Sequence, residues 1–251
     1  MKITILGSGT STGIPMVGCH CQVCSSTDPR NKRTRTSLLV ENDGAYILVD
    51  TSTDLRSQAI RENIPKIDAV LFTHDHADHI HGIDDLRGFH FQHKNIIPCY
   101  ATQETLASID SKFSYIFTGP SLDGYHQLLE PHVIDGAFTL FGLEVTPIPL
   151  VHGTLLATGF RFGSFAYLTD CSSITDAALS LLRGLEVLVI DALRYTPHPN
   201  HFNIAGAIET AQRIGAARTY LTHLTHEVPH EDEARLPATV FFAYDGLSFD
   251  L

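Results

Sequence analysis

Short apolar runs recur along the chain, and they share one habit. YILVD closes on Asp50, AVLFTH on His74, FAYLTD on Asp170, VLVID on Asp191 and TYLTH on His223. Each run has strand length and is rich in Val, Ile, Leu, Tyr or Phe, the pattern of a strand buried in a sheet. Each also ends in a residue able to bind a metal or a proton. The opening MKITILGSGT reads as a first strand entering a glycine turn. Helical patterns fall between the strands. STDLRSQAIREN and TQETLASIDSKF open on Ser or Thr, which can cap a first turn, while ITDAALSLLRG and FNIAGAIETAQRIG stop at glycine. FTLFGLEVTPIPLVH and ATGFRFGSFAYLTD predict strand–turn–strand pairs, and the Asp-Gly in TVFFAYDGLSFDL predicts a hairpin.

Strands alternating with helices predict a layered α/β fold, with sheets inside and helices outside. In such folds the carboxyl ends of neighbouring strands converge on one edge, where ligands bind. Five runs ending in chemistry therefore predict a site assembled from the whole chain. No linker, short repeat or shift in composition divides the sequence, so residues 1–251 read as a single domain.

The chain is long enough to bury a core without disulfides. Its 28 acidic residues against 17 basic ones leave a net charge of −11, which argues against a nucleic-acid partner held by a basic surface. A small phosphate substrate stays open, because metal ions can supply local positive charge. No run is long enough to span a membrane, and the first residues lack the long apolar region of a signal peptide. The five cysteines are an odd number, with three of them in CHCQVC, which is not a secreted disulfide framework. A reducing, cytoplasmic setting is the expectation.

The densest chemistry is THDHADH, Thr73 to His79. His74 and His76 are two apart and can face one point, while Asp78 and His79 can serve a second. A helix N-terminus with solvated histidines is the alternative. Imidazoles and carboxylates are costly to crowd beside a buried strand, and metal coordination offsets that cost. Cys19, Cys21 and Cys24 in GCHCQVC form a zinc or cluster signature without a fourth local ligand; three buried free thiols are the other reading. His20 stands awkwardly between two of those cysteines. In RYTPHPNHFN, His198 suits a solvated loop, and His201 either caps the next helix or does chemistry. Arg30, Lys32, Arg33 and Arg35 form a basic stretch, read as a solvated loop or as a phosphate or dimer contact.

H-x-H-x-D-H after a hydrophobic strand resembles the signature of the metallo-β-lactamase superfamily, whose fold is a four-layer αββα sandwich. Its other positions follow in order: Asp50 in YILVDTS, His152 in PLVHG, Asp170 in AYLTDCS and His223 in YLTHLTH. The resemblance implies two divalent metals, zinc or manganese. His74, His76 and His152 would hold the first, Asp78, His79 and His223 the second, with Asp170 bridging. Asp50 would orient the ligands from behind, and Asp75 and His81 would support the loop.

C-x-C-x-x-C early in the chain, with T-H-x-x-H late, narrows the likeness to the PhnP-like cyclic-phosphate phosphodiesterases. There Cys19, Cys21, Cys24 and His226 would hold a structural zinc, and Cys99 and Cys171 would be core residues. His201 would be the general acid, and Asp78 would join it among the residues at the reaction. The implied activity is metal-dependent hydrolysis of a small phosphate ester, cyclic esters included, by a hydroxide between the metals. A homodimer is implied as well. A tRNA 3′-processing nuclease is the main rival, but no long basic arm is present. Thioester and lactone hydrolases share the core. A PqqB-like non-hydrolytic protein is opposed by the complete ligand set.

Overall fold

A computed structural model describes residues 1–118 and 126–251. The first half of the chain supplies β1 (Lys2–Gly7), β2 (Ser37–Asn42), β3 (Ala45–Val49), β4 (Ala69–Leu71), β5 (Ile97–Ala101) and β6 (Leu129–Val133). The second half supplies β7 (Phe138–Leu140), β8 (Leu143–His152), β9 (Leu155–Phe162), β10 (Phe165–Leu168), β11 (Val187–Asp191), β12 (Arg218–Thr222) and β13 (Val240–Phe242), and β14 (Ser248–Asp250) follows. One sheet runs β14-β1-β2-β3-β4-β5-β6 and the other β13-β12-β11-β10-β9-β8-β7. Strands β3 to β6 are mutually parallel, as are β10 to β13. Asp50 and His74 therefore leave neighbouring strands at the same end, and so do Asp170, Asp191 and His223.

Alternation along each strand builds the layers. Ile47, Val49, Phe165, Tyr167, Val187 and Val189 are fully buried between the sheets, with Phe160 and Phe162. Their neighbours face outward onto helices. Leu48 and Val70 pack with residues of α1 (Leu55–Arg61), α2 (Ala77–Ile80) and, further along the chain, α4 (Gln103–Phe113), which follows α3 (Arg87–His93). Leu188 and Ile190 pack with α5 (Asp176–Ser180) and with α6 (Ile204–Ile214). Helix, sheet, sheet, helix is the αββα sandwich expected from the sequence.

Caps follow residue chemistry. Thr102, Thr175 and Asn203 accept from the first-turn amides of α4, α5 and α6, and α6 ends on Gly215 at φ 77°. Helix α1 departs from expectation. It starts after Asp54, whose carboxylate makes no cap and instead holds Arg35 at 3.0 Å.

The Asp-Gly near the C-terminus also corrects the sequence reading. Strand β13 joins one sheet and β14 the other, so the expected hairpin does not form. Asp245 is claimed elsewhere: its carboxylate accepts from Ser8 N (3.0 Å), Ser8 Oγ (2.9 Å), Thr34 N (2.8 Å) and Thr34 Oγ1 (2.5 Å). Those bonds tie the turn to the N-terminal loop, and the chain crosses between sheets.

Phe160 lies at 0% exposure in the inter-sheet layer, whereas Ile60 on α1 is 61% exposed. Phe160→Ala is expected to cost about 3–5 kcal/mol in urea unfolding. Ile60→Ala should change stability by no more than about 0.5 kcal/mol. A similar cost for both would mean that the inter-sheet layer is not the close-packed core.

Candidate metal centre

Strand β4 delivers Thr73 and His74 to the sheet edge, and the chain then turns at His76 into α2, which carries Asp78 and His79 in its first turn. Asp50, fully buried at the end of β3, organises this loop. Its carboxylate accepts from Thr73 N at 2.8 Å, Thr73 Oγ1 at 2.8 Å and His79 Nδ1 at 2.7 Å. With its proton given to Asp50, Thr73 Oγ1 accepts from His74 Nδ1 at 2.9 Å. On the other side, His152 Nδ1 donates to the Asn200 carbonyl at 2.8 Å. The network thus assigns protons to the Nδ1 atoms of His74, His79 and His152, leaving each Nε2 lone pair for a ligand.

Those lone pairs converge. The donor atoms of His74, His76, His152 and Asp170 all lie within 4.8 Å of one another, and those of Asp78, His79 and His223 form a second such group. Asp170 stands between them. Its Oδ2 is 3.1 Å from His79 Nε2, and its Oδ1 is 3.4 Å from His223 Nε2 and 3.9 Å from the Nε2 atoms of His74 and His152. Asp50, Asp170 and His223 all have positive φ (62°, 55° and 60°), a costly backbone for non-glycine residues that turns each side chain back over the strand ends.

The donors fit divalent metals. His74 Nε2, His79 Nε2 and His223 Nε2 are buried without a hydrogen-bond partner, an expensive condition that coordination would relieve. Nitrogen and oxygen donors in this mixture suit zinc or manganese. The local electrostatics also call for a cation. Burial pushes the Asp170 carboxyl upward, but the imidazoles of His223, His79 and His74 overrule it and hold it well below its usual range. Burial opposes a proton on His223, yet Asp170, Asp78 and Asp191 raise it to about 9, and His79 is raised as well. In metal-free protein a second proton on His79 and one on His223 supply positive charge beside Asp170, and a metal would displace them.

A second cluster lies beside it. The Sγ atoms of Cys19, Cys21 and Cys24 stand 3.2, 3.4 and 3.7 Å from His226 Nδ1, and all four donor atoms lie within 4.8 Å of one another. The Cys24 amide and its neighbours pull the Cys21 thiol down to about 6, while burial pushes Cys24 up to about 11. Three sulfurs and an imidazole nitrogen gathered at one point suit zinc, with backbone amides of Met16, Cys21 and Cys24 also aimed at the sulfurs. His20 is exposed and outside the cluster.

A beta-lactamase superfamily domain matches residues 45–224. The chain belongs to that superfamily. A crystal structure described as a new diphosphatase from the PhnP family superposes with a TM-score of 0.93 at 44% identity, covering 100% of this chain and 97% of the other. An octanoyltransferase of Porphyromonas gingivalis is 42% identical over 98% of this chain, which spans only 51% of that protein's length. Zinc-bound PqqB from Methylobacterium extorquens shares the fold, with a TM-score of 0.82 at 23% identity over the whole of both chains.

Within this superfamily fold the remaining sequence candidates sort by contact. Asp75 turns away from the centre to Ser108 Oγ (2.5 Å) and Lys112 Nζ (2.8 Å). His81 caps α2 with its ring edge-on to Phe113. Cys99 and Cys171 are buried, as expected. Each cation of the basic stretch has a partner within the chain. Arg30 pairs with Asp28, Lys32 donates to the Cys24 carbonyl and Arg35 pairs with Asp54. Arg33 is fully buried, donating to the carbonyls of Arg30, Thr225 and Val228.

The sequence reading gave Asp191 no role, although its strand-end position marked it. It is fully buried. Its Oδ2 accepts from His201 Nδ1 and the Cys171 amide, both at 3.0 Å, and its Oδ1 lies 3.9 Å from His223 Nδ1. Gly153 was missed too: at φ 63°, a Cβ there would stand 2.1 Å from the Asn200 side-chain oxygen and displace the residue that orients His152.

In metal-free protein the raised His223 stabilises the fold fully below about 6.5, its unfolded value, and loses that contribution as pH rises through about 9, while the raised His79 acts in the same direction. Metal binding expels those protons and removes the dependence. Chelator-treated protein should therefore lose melting temperature across this window, with loaded protein unchanged; parallel curves would contradict the imidazolium assignment. Asp170→Ala should release the metal held at this centre, as read by elemental analysis, while that at the cysteine cluster stays.

Proposed function

We propose that this superfamily hydrolase is a phosphodiesterase of small phosphate esters, with two divalent metals, zinc or manganese, at the centre and a structural zinc on Cys19, Cys21, Cys24 and His226. His74, His76 and His152 would hold one metal and Asp78, His79 and His223 the other, sharing Asp170. When bound, the metals supply a water acidified for attack and positive charge for the non-bridging phosphate oxygens. The observation that carries the reading is the placement of His201. Its ring is stacked on His223 with centroids 4.7 Å apart, and its Nδ1 is 3.0 Å from Asp191 and 3.9 Å from Asp170. It is only 11% exposed on its side chain.

A departing alkoxide needs a proton, and His201 is positioned to give one. Asp191 fixes the ring through Nδ1, so Nε2 is the nitrogen that serves the leaving oxygen. As water oxygen bonds to phosphorus, the bond to the leaving oxygen breaks. The proton passes from His201 to that oxygen, and the proton lost by the water restores His201. The PhnP-family diphosphatase supports phosphorus as the reacting atom. It also favours a second reading, in which the bond cut is a diphosphate and the leaving group is a phosphate.

Metal-loaded protein should hydrolyse bis(p-nitrophenyl) phosphate and leave p-nitrophenyl phosphate untouched. His201→Ala should retain its metals and lose about 10²–10⁴-fold on a nucleoside 2′,3′-cyclic phosphate, whose leaving group is an alkoxide. It should lose far less on the p-nitrophenyl diester, whose phenolate departs unaided. Equal losses on both would remove His201 from proton transfer. Faster cleavage of a dialkyl diphosphate than of any monophosphate diester would select the second reading.

A further inference from the structure

Next to the metal centre, a cleft of about 480 Å³ runs between the first turns of α4 and the turn joining β8 to β9, with His74 in its wall. The cleft therefore adjoins the centre through His74 and has a defined chemistry of its own. Thr102, Thr105, Thr154 and Thr158 line it, and so do Leu155 and Leu156. The two leucines, 49% and 75% exposed, open β9 just after the turn that follows His152. Thr158 and Thr105, by contrast, are nearly buried, at 6% and 9%. Thr102 Oγ1 donates to Thr105 Oγ1 at 3.2 Å, so the Thr105 hydroxyl keeps its own proton to give. Neither the Thr154 nor the Thr158 hydroxyl makes a hydrogen bond with any described residue.

The lining holds no lysine or arginine, and its acids are Asp75, already paired with Lys112, and Glu104. An additional phosphate or carboxylate on the substrate would meet Glu104 and find no cation. Unspent hydroxyls over an apolar lip suit instead a group that is neutral, offers hydroxyls and has a carbon skeleton to lie on leucine.

We propose that this cleft binds the organic substituent of the substrate, and that this substituent is an uncharged polyol or sugar-like group. Thr154 and Thr158 read its hydroxyls, and Leu155 and Leu156 cover its carbon skeleton. The assignment rests on the phosphodiesterase reading and deepens it: the phosphate lies over the His201 side, and the hydroxylated substituent extends past His74. Thr154 and Thr158 are specificity-determining residues. They lie outside the ligand set, and the backbone bond from Thr158 N to Thr73 O at 2.9 Å does not involve the side chain.

The test uses metal-loaded protein and p-nitrophenyl phosphodiesters that differ only in the second ester group: glyceryl, propyl and aminoethyl. All share one leaving group, so the ratio of kcat/KM values reports on the cleft. The glyceryl ester is expected to exceed the propyl ester by about three- to tenfold, the worth of one or two neutral hydrogen bonds. Thr158→Val, which keeps the shape and removes the hydroxyl, should bring that ratio to about one with metal content intact. Thr154→Ala, on an exposed turn, should reduce it without risk to folding. A glyceryl-to-propyl ratio of one, or a ratio unmoved by both variants, would overturn the cleft assignment while the phosphodiesterase reading stands. A preference for the aminoethyl ester would overturn the uncharged class in favour of a cation drawn by Glu104. Silence toward all three esters, with metal content intact, would overturn the phosphodiesterase reading and the cleft's role with it.

Discussion

One electrostatic constraint governs the carboxyl edge of both sheets: the Asp170 carboxylate is almost wholly buried among five imidazoles, His201 at 3.9 Å among them, and cannot stay there without a cation. Its oxygens lie 3.1 to 3.9 Å from His79, His223, His74 and His152. A buried carboxylate left unpaired is among the most costly features a fold can carry. The backbone takes its share of the cost in the left-handed conformations of Asp50, Asp170 and His223. Ordinary strands would end more comfortably, so the strain is explained by the convergence it achieves.

Around that carboxylate the structure builds support outward. Asp50 serves the first sheet's histidines through Thr73 and His79, and Asp191 serves His201 and stands beside His223 in the second. Each of these two acids closes a parallel strand, one in each sheet. Beyond them, Arg33 ties the N-terminal loop to the carbonyls of Thr225 and Val228, the segment that carries His226 just after His223. The cysteine cluster and the metal centre thus share one short stretch of backbone. A disturbance of either would be felt by the other through a loop with little freedom.

Known proteins similar to this chain differ in what they are said to do. A PhnP-family diphosphatase matches end to end, whereas the octanoyltransferase is about twice as long as the part this chain matches. The shared centre explains how one fold serves different substrates: the metals' donors come from strand ends, while the walls come from turns and helix starts that vary independently. The cleft between α4 and the β8–β9 turn is such a wall, lined by hydroxyls and leucines.

Much of this was legible in the residues themselves. Strand runs ending in Asp or His announced both the parallel strands and the edge where the site lies, because buried-strand patterning and ligand chemistry are local properties. The spacing in THDHADH and CHCQVC likewise marked two donor clusters, since ligands a few residues apart must share a neighbourhood. What stayed hidden depended on partners distant in the chain. Asp245-Gly246 has the local form of a hairpin turn, yet Ser8 and Thr34 claim its carboxylate and send the strands to different sheets. Arg33 sits in a run of cations that reads as surface, and carbonyls more than 190 residues away complete the set of acceptors that makes its burial tolerable. Asp191 ends a strand like its neighbours, but its task is set by His201 and the Cys171 amide, which the fold brings to it from either side. Sequence determines which groups are available and how often they recur. Tertiary packing decides which of them meet, because a buried charge takes its role from whatever partner the fold places within hydrogen-bond reach.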